Sequence, residues 1–257
     1  MAMPCSIRYL IGIMPRGDGR VKMASMRIHF KPLLVAAGFI GLYLVGLPVV
    51  MAACTDQPAA GVDWSGCEKH RLILRKVTLQ GARLVGADLN GTDLDGANLS
   101  GADLSRASVD RVRLSGADLT RATLVQLSGY RSNFSKAKLP GADLTKAELA
   151  RSNFSGADFS GANLSKAEFQ RGSLEGAILL RANLAGADLA RAKLVGAKLL
   201  DARMGQVRLF RTRIEATDLS GTTGLSQLQI DAACGDQQTR LPAGLKRPPS
   251  WPCSKDE

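Results

Sequence analysis

The sequence has few of the residues from which most catalytic and metal-binding sites are built. Only two of its 257 residues are histidines, and its five cysteines include no CxxC pair or other spacing typical of a metal site. Between residues 62 and 221 the only histidine is His70, so groups that act as a general base near neutral pH are scarce there. A glycine-rich phosphate-binding loop is also absent. We therefore predict a protein without enzymatic activity, cofactor or metal ion.

Aromatic residues are also scarce, at 5% of the chain, so a hydrophobic core must consist mainly of aliphatic side chains. These side chains recur with a period of five residues. Of the 32 positions counted every fifth residue from Trp64 to Leu219, 26 are Leu or Phe, and Ala is commonest two positions earlier. One unit exchanges the large and the small residue, because Leu127 and Gly129 occupy the expected Ala and Leu positions. The pattern predicts a repeat architecture.

A five-residue period fits neither an α-helix nor a flat strand. On a helix each repeat would rotate the leucines by about 140°, and in a strand an odd period would place them alternately on opposite faces. The chain must therefore bend once per repeat, at the step where glycine is frequent. Four bends close a square coil of about 20 residues, and neighbouring coils pair like parallel strands roughly 4.8 Å apart. Residues 62–221 thus predict about eight coils, with a total length of roughly 38 Å.

The repeated pattern A-(D/N)-L-X-X, seen in GADLN, GANLS and SGADF, resembles that of the pentapeptide-repeat family. The resemblance covers the whole of 62–221 and implies an all-β fold, a right-handed quadrilateral parallel β-helix. Some members of the family bind DNA gyrase as acidic mimics of a DNA duplex. Here residues 62–221 contain 24 basic and 17 acidic residues, a net charge of +7, so a gyrase-binding DNA mimic is only a remote alternative.

We predict five segments: a leader or wrongly assigned start at 1–25, a signal peptide or transmembrane anchor at 26–53, a linker at 54–61, the repeat array at 62–221, and a capping helix with a proline-rich tail at 222–257. The basic start and long apolar run of 26–53 are typical of an export signal, but the run is also long enough to span a bilayer. A lipoprotein-like MAAC motif ending at Cys54 leaves lipid attachment as a third alternative. All three place the array outside the cytoplasm, in the periplasm or anchored to a membrane and facing the periplasm.

Both ends of the array carry residues suited to closing it. Trp64 replaces Leu in the first coil and should cover the open end of the apolar column. After the array, Ser226 and Gln229 have the spacing of a capping box for a short helix. The face of this helix that should cover the last coil consists of Leu225, Leu228 and Ala232. The proline-rich segment that follows should run as an extended tail, with Trp251 packed against the coil.

Four of the five cysteines lie near the two ends of the array: Cys54, Cys67, Cys234 and Cys253. In an oxidising compartment we expect the local pairs to form disulfides, Cys54 with Cys67 and Cys234 with Cys253. Buried free thiols are the alternative interpretation of the same residues.

Outward-facing residues become vertical neighbours when they lie one full coil apart in the predicted solenoid. At this interval six arginines fall on one edge, over about 24 Å. These residues, which we name the arginine ladder, are Arg111, Arg131, Arg151, Arg171, Arg191 and Arg211. The ladder is a candidate site for an anionic partner, such as a phosphate-rich polymer, a lipid headgroup or an acidic protein. Alternatively, Glu148, Glu168 and Asp188 neutralise the arginines that follow them, and the ladder has no function.

Together these observations predict a non-enzymatic, exported or membrane-anchored scaffold, a protein-interaction module built on a pentapeptide-repeat solenoid. Its partner is an unknown protein or an anionic component of the cell envelope, with membrane contact through residues 26–53 if that segment is retained. The alternative function is that of a cell-envelope protein that binds an anionic polymer, lipid headgroup or acidic protein through the arginine ladder. Specific binding of nucleic acid is not expected from an exported protein of moderate positive charge.

Overall fold

The structure of the chain is a computed structural model that describes residues 54–253. The predicted leader at 1–25 and the predicted signal peptide or anchor at 26–53 lie outside the described residues. Within 54–253, no helix has the length and apolar character needed to cross a membrane. The described chain consists of the repeat array and the segments at its two ends.

Each coil of the array pairs with the next in a constant register. Isolated parallel bridges join residues that lie one full coil apart, from Asp63–Arg83 to Arg203–Thr223, 29 bridges in all. Backbone hydrogen bonds between coils flank each bridge, and in the repeats around Arg83 they measure 2.7 to 2.9 Å. Among the described residues the bridges do not merge into continuous strands, because the chain turns again two residues after each bridge. The predicted parallel pairing is confirmed, but as one bridged residue per repeat.

The corners of the coil share one backbone conformation. Every fifth residue from Gly61 to Ala216 has a positive φ angle, as at Gly101. In this corner the Ala102 N–H donates to the Leu99 carbonyl at 3.0 Å, and the Ser100 N–H donates to Asn98 Oδ1 at 3.0 Å. The second bond explains why Asp or Asn precedes the buried Leu in the repeat, since its side chain accepts a hydrogen bond from the turn.

The corner conformation does not depend on glycine. Eighteen residues with a positive φ angle are not glycine, and 14 of these are Lys or Arg. A non-glycine residue in this region costs about 1–2 kcal/mol, so the turn hydrogen bonds and the pairing between coils outweigh that cost. The sequence predicts the bends at glycines, and the structure shows the same bend at charged residues as well.

The interior is a closed column of aliphatic and aromatic side chains. The Leu and Phe positions of the repeat are buried along almost the whole array, and the Ala positions lie beside them. In the middle of the column Phe134 and Phe154 stack with their ring centroids 4.8 Å apart, and Phe154 meets Phe169 edge to face at 5.4 Å. Leu127 is fully buried, so the exchanged unit also contributes a large side chain to the core.

Trp64 closes the N-terminal end of the column, as predicted, and is only 1% exposed. The Lys69 Nζ lies 4.0 Å from the centre of its ring and donates to the Cys54 carbonyl at 2.6 Å. A disulfide joins Cys54 to Cys67, with the Cα atoms 5.4 Å apart. The predicted linker is therefore held against the first coil.

A single short helix, α1 (Gln227–Asp231), follows the array. Its capping box is as predicted, with Gln229 Oε1 accepting the Ser226 N–H at 2.8 Å. The predicted apolar face was wrong at Leu228, which is 77% exposed, whereas Ile230 is fully buried. The Gln229 Nε2 also donates to the Val207 carbonyl at 2.8 Å, which ties the helical turn to the array.

After α1 the chain returns to the coil. Cys234 and Arg240 form parallel bridges with Arg213 and Asp218, at intervals slightly longer than one full coil. These longer intervals accommodate the inserted helical turn while the last full coil still gains a paired neighbour.

The proline-rich segment folds back on this partial coil. Trp251 is only 8% exposed, and its Nε1 donates to the Ala233 carbonyl at 2.7 Å, so its predicted packing is confirmed. A disulfide joins Cys234 to Cys253, with the Cα atoms 5.5 Å apart. Leu241 also packs against the core, so the segment is held at several points along its length.

Candidate functional site

The arginine ladder occupies one corner of the coil in six consecutive turns of the solenoid. All six arginines are exposed, and their φ angles lie between 53° and 58°. The backbone N–H of each arginine is held by the next coil, as where Arg151 donates to the Gln170 carbonyl at 2.8 Å. The backbone therefore fixes the spacing of the ladder, and only the side chains are free to adapt.

The carboxylates that were expected to neutralise the ladder do not contact it. Asp188 Oδ2 accepts a hydrogen bond from Arg208 Nη1 at 2.7 Å, and Glu168 Oε2 accepts one from Gln170 Nε2 at 3.2 Å. Within residues 54–253, no ladder arginine lies within 4.0 Å of a carboxylate oxygen. Direct neutralisation of the ladder by these carboxylates is therefore wrong for this structure, because they lie at bridge positions on a face of the coil and not at its corner.

Ion pairs do form on the faces of the coil, where acidic and basic residues alternate between neighbouring turns. Arg83 pairs with Asp63 at 3.3 Å, and Arg240 pairs with Asp218 at 3.1 Å. Ser65, whose N–H donates to Asp63 Oδ1 at 3.0 Å, and Arg83 hold the pKa of Asp63 below its usual value. The hydrogen bond that Arg208 donates to Asp188 raises the pKa of Arg208. Charges on the faces are thus partly balanced, while those of the ladder are not.

Two exposed aromatic rings lie beside the ladder. The guanidinium carbons of Arg131 and Arg151 lie 5.1 and 5.8 Å from the centre of the Tyr130 ring, and that of Arg211 lies 5.5 Å from the centre of the Phe210 ring. These distances are within the range of cation–π attraction. Sequence reasoning missed both rings, although each stands immediately before a ladder residue. They give the ladder an apolar component as well as its charge.

The backbone does not require arginine at these corners. Glycine, and after it Asn or Asp, adopts a positive φ angle most readily, and glycine occupies many other corners of this solenoid. The same corner nevertheless carries an arginine in six successive coils. The fold accounts for a bend at each of these positions, but it does not account for the arginine.

A seventh arginine belongs to the same column and was missed by the sequence analysis. Arg71 lies two coils before Arg111, and Gly91 occupies the position between them. Arg71 could have been found from the sequence by continuing the interval of one coil past Gly91 towards the N-terminus.

The described part of the chain gives no indication of a metal site. In residues 54–253, no group of three His, Cys, Asp or Glu side chains is placed to hold a metal ion. Its four cysteines are all paired in the two disulfides.

The family profile for pentapeptide repeats matches the chain in eight copies, on overlapping segments that begin with 73–109 and end with 187–223. The chain belongs to the pentapeptide-repeat family. This membership supports a right-handed β-helix solenoid, in agreement with the four-cornered coil and its constant register. Pentapeptide-repeat proteins have a scaffold-type fold and act by protein interaction.

A solved pentapeptide-repeat structure shows the same fold. Full-length QnrB1, a plasmid-mediated fluoroquinolone resistance protein, aligns with a TM-score of 0.57 and 18% identity, over 68% of this chain and 89% of that chain. HetL, from the cyanobacterium Nostoc sp. strain PCC 7120, is involved in heterocyst differentiation regulation. It is 28% identical over 68% of this chain and 91% of that chain, with a TM-score of 0.24. Comparison with curated proteins gave no match.

Proposed function

We propose that this pentapeptide-repeat protein is a rigid, non-enzymatic interaction module that binds an acidic protein surface through the arginine ladder. Pentapeptide-repeat proteins act by protein interaction, which supports this class of function over catalysis. The proposal rests on one observation, that six exposed arginines in consecutive coils have no carboxylate partner in the part of the chain that the structure describes.

Repulsion between neighbouring arginines of the ladder favours the binding of an acidic partner. Adjacent ladder positions are one coil apart, about 4.8 Å, so six like charges are held in a row by the backbone. Two unit charges about 4 Å apart in water repel by about 1 kcal/mol, and a partner with matching carboxylates relieves this repulsion. Each guanidinium can donate two parallel hydrogen bonds to a carboxylate, which adds geometric specificity to the attraction.

The rigidity of the solenoid favours recognition of an ordered surface. Successive coils are joined by backbone hydrogen bonds, so the spacing of the ladder backbone is set before a partner binds. A preorganised surface loses little conformational entropy when a partner docks. Tyr130 and Phe210 add rigid apolar contact area beside the charges.

A pair of charge-reversal variants tests this surface. Arg151→Glu with Arg171→Glu should weaken binding to poly-L-glutamate about tenfold or more, because two attractions become repulsions. Arg121→Glu with Arg181→Glu is the matched control, since both residues are exposed corner residues with a φ angle of 56° outside the ladder. This control changes the net charge equally and should bind almost as the wild type does. Equal weakening in both variants, or no binding by the wild type, would overturn the proposal.

The class of partner needs a second comparison at the same ionic strength. If anionic lipid vesicles or a phosphate polymer bind the ladder at least as tightly as poly-L-glutamate does, the partner is an anionic envelope component and not an acidic protein. If the variant Arg151→Glu with Arg171→Glu loses binding to the vesicles or the phosphate polymer and the control variant does not, that binding also takes place at the ladder.

We further propose that the protein is exported, and that it remains in the periplasm or is anchored to a membrane. The basic and apolar segment at 26–53 supports this proposal, as do two disulfides, which are typical of oxidising compartments. A lipid at Cys54 would be attached through the same Sγ that forms the disulfide with Cys67, so lipid attachment is incompatible with that disulfide. N-terminal sequencing of the mature protein, combined with membrane fractionation, would distinguish cleavage from anchoring. A full-length protein with free thiols in the cytoplasmic fraction would contradict export.

A role as an acidic mimic of DNA has weaker support. The fold resembles that of QnrB1, but residues 62–221 carry 24 basic and 17 acidic residues, and a DNA mimic needs the opposite balance.

A further inference from the structure

The column of corner residues that contains the arginine ladder is interrupted at Gly91. Arg71 lies one coil before this glycine and Arg111 lies one coil after it. The three residues share the corner conformation, with φ angles of 56°, 67° and 54°. Because the two arginines are two coils apart, their Cα atoms are separated by about 9.6 Å. An opening is therefore left where the following coils each place an arginine side chain.

This opening is a cleft with a volume of about 510 Å³, a size typical of small-molecule sites. The residues around it that bear on its chemistry are Arg71, Gly91, Arg111, Asp88, Asp110 and Tyr130. A Cβ atom at position 91 would lie 3.4 Å from Arg71 Cγ, so the stem of Arg71 passes close to the glycine. The absence of a side chain at Gly91 keeps the space between the two arginines open.

Charges of both signs line the cleft without neutralising one another. Within residues 54–253, neither Arg71 nor Arg111 lies within 4.0 Å of a carboxylate oxygen. Asp110 Oδ1 accepts the Tyr130 N–H at 2.7 Å, which fixes that carboxylate at the wall. Asp88 Oδ2 lies 3.6 Å from Nδ1 of His70, which also lines the cleft. A purely anionic ligand would meet the two carboxylates, and a purely cationic ligand would meet the two guanidinium groups.

We propose that this cleft binds a small zwitterion that carries a phosphate monoester at one end and an ammonium group at the other, with ethanolamine phosphate as the simplest probe. Its phosphate lies between Arg71 and Arg111, and its ammonium group faces Asp110. A phosphate monoester carries a charge of about −1.5 to −2 at neutral pH and has three acceptor oxygens, so it can accept from both guanidinium groups. A single carboxylate has two oxygens and half that charge, which matches only one of them.

Three soluble probes at constant ionic strength test the ligand class by calorimetry. Ethanolamine phosphate should bind at least about tenfold more tightly than glycerol 1-phosphate or ethanolamine, because each of these lacks one of the two charged contacts. Asp110→Asn keeps an Oδ1 acceptor for the Tyr130 N–H and removes the charge. In this variant the affinity for ethanolamine phosphate should fall to that for glycerol 1-phosphate. Equal affinity of the wild type for both phosphates would overturn the zwitterion assignment.

A variant that adds a positive charge distinguishes binding inside the cleft from binding by general surface charge. Gly91→Arg continues the ladder, fills the cleft and should abolish binding of ethanolamine phosphate even though it adds a positive charge. Gly96→Arg is its control, because Gly96 has the same φ angle of 67° and the same 3.4 Å approach, there to Lys76 Cγ. If general surface charge governed binding, both variants would bind the probe more tightly, and that result would overturn the cleft.

A vesicle arm separates a phosphate monoester from a lipid headgroup. Phosphatidylethanolamine carries a phosphodiester with one negative charge and two non-bridging oxygens, so vesicle binding that matches binding of the soluble probe and is removed by Gly91→Arg would overturn the monoester assignment. Binding of the soluble probe without binding of the vesicles supports it, and failure of the soluble probe rejects it. The outcome is separable from that of the ladder, since Arg171→Glu should weaken binding to poly-L-glutamate and leave the cleft intact.

Discussion

Leu127 and Gly129 exchange the small and large positions of one repeat unit in the middle of the solenoid. Leu127 is fully buried, and a Cβ atom at position 129 would lie 2.8 Å from Val109 Cγ2 and 2.9 Å from Leu149 Cδ2. The register of the bridges continues through this unit without a break. Leu127 therefore supplies core volume that Gly129 lacks, and no residue has been inserted or lost.

This relationship predicts non-additive effects on stability. Leu127→Ala should lower the free energy of unfolding by about 2–5 kcal/mol, because it leaves a cavity. Gly129→Leu alone should lower it by about 1–3 kcal/mol, because the new side chain is overpacked. The double variant restores the common repeat pattern and should lose less than the sum of the two, as measured by urea unfolding. Additive losses would show that the two positions do not share one packing space.

The period of the sequence was sufficient to predict the coil, its register and most of its core. The five-residue spacing of Leu and Phe is a strong signal because every buried position repeats the same geometry in the next coil. The segment after the array has no such repetition, and there Ile230 and not Leu228 faces inward, next to the hydrogen bond from Gln229 to Val207. A single long-range contact of this kind leaves no periodic trace in the sequence.

The candidate site could be predicted only in part for a related reason. The coil interval placed the ladder arginines on one edge, but side-chain pairing depends on reach and direction, which spacing does not specify. Asp188 was expected to neutralise a ladder arginine, but it pairs with Arg208, which lies one coil away on the same face as Asp188. The cleft at Gly91 was missed because its importance depends on the missing side chain and on the two arginines above and below it.

Corner residues should tolerate glycine much better than β-branched residues. Arg171 has a φ angle of 58°, so Arg171→Gly relieves an unfavourable conformation but also adds freedom to the unfolded chain. These effects oppose each other, and the free energy of unfolding should change by less than about 1 kcal/mol. Arg171→Val should cost about 1–3 kcal/mol, because a β-branched residue is strained at a positive φ angle.

Lys138→Val is the control for this comparison, because Lys138 occupies a bridge position and not a corner. Its effect in the same thermal and urea unfolding measurements should be small. If Arg171→Val is as stable as the wild type, the corner conformation is more adaptable than the structure indicates.

Both disulfides should be present in the exported protein and should stabilise its ends. They close loops with sequence separations of 13 and 19, for which chain entropy predicts about 3 kcal/mol each. Thiol titration of the denatured, unreduced mature protein should find no free thiol, and reduction should lower the unfolding midpoint. Detection of four thiols per chain in unreduced protein would rule out both pairs.

Stability should fall in acid because several aspartates have depressed pKa values in the folded protein. Hydrogen bonds from the Ser220 side chain and N–H, with Arg240, lower the pKa of Asp218. Burial would raise the pKa of Asp118, but Thr120, whose N–H donates to Asp118 Oδ1 at 2.9 Å, outweighs it and lowers the pKa. The pKa of each aspartate in the folded protein lies below its value of about 3.9 in the unfolded chain. The contribution of these aspartates to the free energy of unfolding is therefore fully present above a pH of about 3.9. It is lost as the pH falls through the folded pKa.

The expected result is a falling urea midpoint below about pH 4, with little change between pH 5 and pH 7 from these groups. Asp118→Asn with Asp218→Asn keeps an Oδ1 acceptor for each turn but removes two titrating charges. The double variant should therefore lose less stability than the wild type over the same acid range. If the two proteins have the same acid dependence, the stabilising hydrogen bonds do not require the ionised carboxylates. The capping Asp and Asn of the repeat would then be equivalent at every pH.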